Sequence, residues 1–338
     1  MNILCYVEAN SATGRGHYTR IKILLDLLKI KKVTIVTGNH LLAKKTFSKY
    51  IIKKKPKNLK KFLIENLYKY SHFILDPPYY EKNKKINSGD YWSFLKKIKN
   101  SKTIITRLTD EIKPTRHYCD ILINDFPGAL NFKKYYNKYC YNLFLGEKFF
   151  LYKRKLLKLI NNKNHKNYDL LVVFGGEDPK NLLLKYFYLL KYLNLKKVFI
   201  CNEKTYLKLK CYKDKNNKIL PLINQSSFFS YLKKSKSYLS TPSNIMFEAY
   251  ALGLKGVVIP TQNRQKIMGS YFQRNLQNVI CLSKYNKLKI DDLKKAITRT
   301  LNNDFYKVKI KTNKNNIIKS QNKLIRCIKY YDTCDYTS

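Results

Sequence analysis

A histidine set among glycines gives this chain its richest stretch of chemistry: Gly14-Arg15-Gly16-His17-Tyr18-Thr19-Arg20, shortly after the apolar run Ile3–Val7. A strand that ends in a glycine loop and then opens a helix aims free backbone N–H groups, and the positive end of the helix, at whatever lies above the strand. That field disfavours an imidazolium, so His17 is expected as a neutral ring able to accept a proton. The glycines leave room for a ligand to approach the backbone. A histidine that only caps its helix is the alternative reading of the same residues.

Three further groups have types and spacings suited to a ligand. Phe174-Gly175-Gly176-Glu177-Asp178-Pro179 is a second glycine turn behind a second apolar run. Within it, Asp178 reads as an N-cap and Pro179 as the first helical residue. Thr241-Pro242-Ser243-Asn244 precedes a helical pattern that carries Glu248 and stops at Gly253. The hydroxyls and free N–H groups of that first turn suit phosphate oxygens, and Glu248, one turn on, suits the two hydroxyls of a ribose. A capping arrangement around Ser243 or Asn244 explains the same residues without a ligand. Gln262-Asn263-Arg264-Gln265 is a polar run suited to sugar hydroxyls or amides, or simply to a helix start. Asp76 and Tyr79 at one strand end, and Asn124-Asp125 at another, are accounted for by turn chemistry.

The elements that must position these residues alternate. Strands are expected over 3–7, 33–36, 73–75, 104–108 and 121–124, then over 170–174, 198–201, 219–222, 238–240 and 257–259. Helices are expected over 17–29, 91–99, 181–192, 243–252, 265–276, 290–301 and 317–330. The charged stretch 53–61 is expected as an exposed helix or loop. Repeated βα alternation implies parallel sheets with right-handed crossovers, and ligands then lie at the carboxyl ends of strands, where both glycine turns fall. A length of 338 residues suits two domains. The polar Asn/Lys/His stretch at 161–166 places the division, giving 1–160 and 161–338.

Composition narrows the function classes. The net charge of +46 comes from 59 lysines and only 9 arginines, and the abundance of Lys, Asn, Ile and Tyr matches an AT-rich coding bias. Base readout and bidentate phosphate contacts favour arginine, so nucleic acid is not the expected partner, while peripheral association with an anionic membrane surface stays open. The eight cysteines lie far apart, with no zinc-type spacing. With no signal-peptide pattern at the start, they fit a reducing cytoplasm. There is no phosphate-binding G-x-x-x-x-G-K-[ST] loop, no G-x-S-x-G elbow and no D-x-D pair that would hold a metal–diphosphate. Neither a metal nor a cofactor is therefore expected.

Taken together, Gly14-x-Gly16-His17-x-x-Arg20, Phe174-Gly175-Gly176-x-Asp178-Pro179-x-Asn181-Leu182 and the Glu248 helix ending at Gly253 resemble the UDP-sugar hydrolases of the pseudaminic acid pathway. That family is related to spore-coat polysaccharide proteins and, more distantly, to the transferase that adds N-acetylglucosamine to lipid I. Cys119-Asp120-Ile121-Leu122-Ile123-Asn124 and Leu145-Gly146-Glu147-Lys148-Phe149-Phe150 resemble two further family segments, in order along the chain.

The resemblance implies a GT-B fold, with two Rossmann-like domains facing across a cleft and UDP held mainly by the second. It implies metal-independent hydrolysis, with inversion, at the anomeric carbon of a UDP-linked 2,4-diacetamido-2,4,6-trideoxy sugar. On that basis His17 is the catalytic residue. Asn10, Gly14, Gly16, Arg20 and Gln265 face the sugar. Gly175, Gly176, Thr241, Ser243, Asn244 and Glu248 hold the nucleotide. The chain departs from the family at Glu8 and Asn10, where Asp and Ser are usual, and at Leu239-Ser240-Thr241-Pro242-Ser243-Asn244, where the family is glycine-rich. A GT-B glycosyltransferase passing the sugar to a lipid or glycan is the alternative, and a nucleotide-sugar binding protein without turnover is a third reading.

Overall fold

The computed structural model describes residues 1–8, 16–77, 92–98, 101–160, 165–175, 178, 180–302 and 310–331. The chain forms two compact units, one made of Met1–Lys153 with Ile317–Ser338 and the other of Arg154–Asn316.

The first unit is built on seven strands: β1 (Ile3–Val7), β2 (Val33–Thr37), β3 (Ile51–Lys54), β4 (His72–Asp76), β5 (Ile104–Thr109), β6 (Cys119–Asn124) and β7 (Cys140–Leu145). They lie in the order β3-β2-β1-β4-β5-β6-β7, and every pairing is parallel. Side-chain alternation splits β1 between two layers. Ile3, Cys5 and Val7 pack with Ile21, Leu24, Leu25 and Leu28 of the helix Gly16–Leu28. Leu4 and Tyr6 face the other way, onto Leu59, Leu63 and Trp92. Burial on both faces explains why these strands read as continuous apolar runs. The last helix, Ile310–Lys329, places Leu324, Cys327 and Ile328 in the first of these layers.

The second unit carries β8 (Tyr168–Val172), β9 (Lys197–Cys201), β10 (Asn217–Pro221), β11 (Ser235–Ser240), β12 (Lys255–Val258) and β13 (Val279–Cys281). Their order is β10-β9-β8-β11-β12-β13, again all parallel. Leu182, Leu183, Tyr186 and Phe187 of the helix Leu182–Leu190 pack on Leu170 and Val172 of β8.

Local differences from the sequence reading have physical causes. The lysine-rich stretch expected as helix or loop contains β3, an edge strand registered Thr34↔Ile51 on β2. Its backbone finds partners in the sheet, while Lys53 and Lys54 stay exposed, as lysines on a sheet edge commonly do. The helix proper starts at Leu59, where the Asn58 side chain accepts the Lys61 N–H. Of the helix expected over 91–99, only Leu95–Ile98 is helical among the described residues. The helix expected from 181 begins at Leu182 rather than next to Asp178, which has a positive φ of 37°. The Asp178 carboxylate still caps it, accepting the N–H groups of Leu182 at 3.0 Å and Leu183 at 2.9 Å. Among the described residues, no helix is long and apolar enough to cross a membrane.

Candidate functional site

Sheet order decides which loops meet. In the first unit the chain leaves β1 towards β2 on one side and returns at β4 on the other, so the order reverses between β1 and β4. A reversal opens a crevice above the carboxyl ends of the two central strands. The loop after β1 leads into the helix that carries His17 on its first turn, and β4 ends at Asp76, registered against Val7.

The two side chains meet there. His17 Nδ1 lies 2.8 Å from Asp76 Oδ1. Asp76 is wholly buried and His17 is 13% exposed. A carboxylate oxygen has only lone pairs to offer, so the hydrogen in this contact belongs to Nδ1. In the neutral ring that tautomer puts the lone pair on Nε2, as a proton acceptor, and the Arg20 Nη2 3.3 Å from Nδ1 is then a second donor sharing Asp76 Oδ1. Arg20, one helical turn on from His17, donates from Nε to Asp76 Oδ2 at 3.0 Å and from Nη2 to Oδ1. It also reaches the Thr109 carbonyl at the end of β5 and lies 3.7 Å from the Asp125 carboxylate just past β6. Burial opposes ionisation of Asp76, but Arg20 and His17 outweigh it and hold the carboxyl below its ordinary value. Burial likewise opposes the charge on Arg20, yet Asp76 and then Asp125 hold the guanidinium protonated. The result is a fixed carboxylate that orients an imidazole and can stabilise positive charge on it when a proton arrives.

Asp76 is therefore more than a strand-end turn residue, and sequence reasoning missed its role. The available signal was an aspartate closing a buried strand. What was lacking was the knowledge that this strand lies beside β1. Arg20, placed on the sugar side by the resemblance, is engaged by Asp76. Asn124 keeps its turn role, its Oδ1 accepting the Phe126 N–H. Glu8, at the end of β1, accepts the Gly38 N–H at 2.9 Å and so ties the loops after β1 and β2 together. Gly16 is exposed, and a Cβ there would meet nothing within 4 Å, so packing does not require glycine at that position. Asn10, Gly14 and Tyr79 lie outside the described residues.

In the second unit the order reverses between β8 and β11. Gly175 follows β8 and Thr241-Pro242-Ser243-Asn244 follows β11, on adjacent strands registered Val172↔Leu239. The nucleotide candidates Gly175, Thr241, Ser243 and Asn244 are thus brought to one crevice. Gly176 lies outside the described residues. Gly175 has φ +87°, a conformation that favours glycine, and open space where a Cβ would be. The loop it begins also holds Asp178 and Asn181 at positive φ, and such strain concentrates at ligand clamps.

The helix Asn244–Ala251 starts behind Ser243, whose side chain makes no capping bond. The Ser243 Oγ is buried and has no hydrogen-bond partner among the described residues. A capping box is excluded by position, because the third helical residue is Met246 and Glu248 lies two further on. Glu248 is buried, at 7% exposure. The helix ends in a Schellman motif, with Leu254 N–H on the Ala249 carbonyl, Gly253 N–H on that of Tyr250, and Gly253 at φ +70°. Gln265 follows β12 and turns its Oε1 back to accept the Thr261 N–H and hydroxyl, leaving its amide N–H groups as the donors for anything else. Among the described residues no group of three or more His, Cys, Asp or Glu side chains could hold a metal.

Two parallel six- and seven-stranded α/β units define the GT-B architecture, and comparison with solved structures supports it. Spinosyn rhamnosyltransferase SpnG, complexed with thymidine diphosphate, superposes with TM-score 0.62 at 10% identity, over 98% of this chain and 100% of that one. The calicheamicin glycosyltransferase CalG4 gives 0.63 at 12% identity, over 98% of each chain. The UDP-GlcNAc 2-epimerase from Methanocaldococcus jannaschii gives 0.54 at 12% identity, over 97% of this chain and 99% of that one. At these identities the likeness is one of fold. In sequence, the uncharacterized protein MJ1062 of Methanocaldococcus jannaschii is 29% identical over 168 residues, covering 44% of this chain and 34% of that protein. The chain thus matches about a third of the length of that curated relative. No protein-family model matches the chain.

Proposed function

We propose that the protein is a metal-independent hydrolase of a UDP-linked 2,4-diacetamido-2,4,6-trideoxy sugar, acting in nonulosonic (pseudaminic-type) acid biosynthesis. The observation that carries this reading is the His17–Asp76 contact of 2.8 Å at the strand-order reversal of the first sheet. His17 Nε2 accepts a proton from water as the water oxygen bonds to the anomeric carbon. The bond from that carbon to the diphosphate breaks, UDP leaves with the electron pair, and the configuration inverts. The transition state has oxocarbenium character, as in other glycosyl transfers. Asp76 offsets the charge arriving on the imidazole. The first domain would carry this chemistry. The second would hold UDP, its diphosphate on the N–H groups and the Ser243 hydroxyl at the start of the helix Asn244–Ala251, its ribose on Glu248.

A second reading, transfer to a lipid or glycan acceptor, is favoured by the fold neighbours SpnG and CalG4, which are glycosyltransferases. The same His17–Asp76 pair would then deprotonate an acceptor hydroxyl. One experiment separates the two. UDP release from UDP-2,4-diacetamido-2,4,6-trideoxy-β-L-altropyranose is followed by proton NMR with no acceptor present. Rapid release with inverted free sugar supports hydrolysis. UDP binding without release moves the weight to transfer. A His17→Ala variant that keeps the wild-type kcat with its fold intact removes the histidine from both.

A further inference from the structure

We infer that the amino-terminal edge of the second sheet is a docking surface for an anionic phospholipid membrane. The strands β8 to β11 begin along this edge, and two adjoining hollows lie there, sharing Lys196 and Asn216. One, of about 360 Å³, is lined by Lys196, Lys197, Lys213, Lys215 and Lys218. The other, of about 340 Å³, adds Lys166 and Lys236. Lys197 is buried, its ammonium on the Leu193 and Leu195 carbonyls, and against the other six lysines stand two carboxylates, Asp214 and Asp169. Both are already used. Asp169 takes the Lys236 ammonium at 2.8 Å and the Lys196 N–H at 2.8 Å, and Asp214 takes the N–H groups of Asn216 and Asn217, each at 2.7 Å. Lys196, Lys213, Lys215 and Lys218 are exposed.

Beside the first hollow, Lys191 sits over the rings of Tyr188, Tyr192 and Tyr212, at 5.2, 4.6 and 4.4 Å from their centroids. These tyrosines are 43%, 82% and 37% exposed, and Tyr212 is the chain neighbour of Lys213. Lysine ammoniums on long apolar stems, interleaved with tyrosine rings, suit the headgroup layer of a bilayer, where a ring lies among acyl boundaries and its hydroxyl stays wet. Neither hollow has an arginine in its lining, so neither offers the forked donors that read bases or clamp single phosphates. What it offers is diffuse attraction to a surface of many negative charges. Gly175 and Thr241 stand at the opposite, carboxyl ends of β8 and β11, so a protein docked this way keeps its nucleotide loops off the bilayer.

The overall charge of +46 makes a matched control essential. The full chain is sedimented with phosphatidylcholine vesicles with and without phosphatidylserine. Binding to the phosphatidylserine vesicles is expected at low salt. It should weaken about fivefold per lysine removed in Lys196→Gln/Lys213→Gln/Lys215→Gln/Lys218→Gln. An equal change of charge on exposed lysines of the first unit, Lys31→Gln/Lys32→Gln/Lys44→Gln/Lys45→Gln, should leave binding within about twofold. A Tyr192→Trp variant, which keeps every lysine, should shift its fluorescence to the blue on the same vesicles, while a Leu41→Trp variant, altered at a position that is itself 78% exposed, should not. Equal losses in the two lysine variants, no binding to phosphatidylserine vesicles, or an unshifted emission from Tyr192→Trp would overturn the assignment. So would duplex DNA binding that is tighter than vesicle binding and depends on the same four lysines.

Discussion

Replacing Asp76 with asparagine tests the His17 assignment most directly. The change keeps the size of the side chain but puts an amide where a carboxylate oxygen faces His17 Nδ1 at 2.8 Å. With the amide oxygen in that place, accepting from Nδ1 and from Arg20 Nη2, the ring keeps its tautomer but loses the negative charge that offsets an arriving proton. With the NH2 group there, the ring hydrogen moves to Nε2 and no acceptor is left for the proton of water. General-base assistance is worth about 10²–10⁴ in rate, so kcat should fall by at least ~100-fold. The nucleotide loops are built on the other sheet, so UDP affinity should stay within about threefold, well under 1.4 kcal/mol.

Stability should suffer as well. Arg20 would keep Asp125 at 3.7 Å and the Thr109 carbonyl at 3.4 Å but lose its main counter-charge. Breaking a buried pair costs about 3–5 kcal/mol, and the surviving partners put this case near the low end. The assay is UDP release from the diacetamido-trideoxy donor at low temperature, with folding checked by circular dichroism. A single-turnover rate within threefold of wild type would refute the reasoning. So would a double variant, His17→Ala/Asp76→Asn, in which the two losses multiply; groups acting as a unit leave the double variant no slower than His17→Ala alone.

Other consequences can be measured independently. The Asp76 carboxyl is held below its free value of 3.8, so its stabilising contribution is present above about pH 4 and lost as the pH falls through the folded value. Urea midpoints should therefore drop more steeply from pH 5 to pH 3 in the wild type than in Asp76→Asn, and parallel profiles would contradict the pairing (about 4 being the free carboxyl range). Gly175→Ala meets no atom but must hold φ +87°, so it should cost about 1–2 kcal/mol in denaturant titrations and weaken UDP; an unchanged stability would mean the loop relaxes freely. Ser243→Ala should leave the ligand-free protein within about 0.5 kcal/mol, because no capping bond is lost, yet weaken UDP about tenfold if the hydroxyl meets a phosphate; calorimetry with UDP decides it.

What was legible in the sequence followed from local pattern. The run Ile3–Val7 sits where expected because a strand buried on both faces carries apolar side chains at every position, whereas only 238–240 was legible of β11, whose first three residues are Ser235, Lys236 and Ser237. The Gly253 stop was legible because only a few residues adopt the left-handed turn it needs. The partner of His17 was not legible. Asp76 lies 59 residues away, and its approach depends on β4 docking against β1, which no local window contains. The edge strand β3 was hidden for the opposite reason: its lysines suit solvent, and only pairing with β2 makes it a strand. At Ser243 the sequence left a cap and a phosphate contact both open, and the fold removes the cap, leaving the hydroxyl buried and without a partner among the described residues.

The return of the last helix to the first unit sets the order in which the protein can be completed during synthesis. Leu324, Cys327 and Ile328 fill the layer under β1 and the His17 helix, so that layer is open when residue 153 leaves the ribosome. At about 5–20 residues per second, the gap lasts on the order of 10–40 s. Meanwhile the whole of Arg154–Asn316 emerges as one continuous piece and has all its own strands. The second unit to be made is thus the first that can be finished, and the beginning of the chain waits for its end. A nascent chain stalled before residue 317 should present the apolar layer of Leu24, Leu25 and Leu28 to chaperones, whereas release of the full chain should bury it.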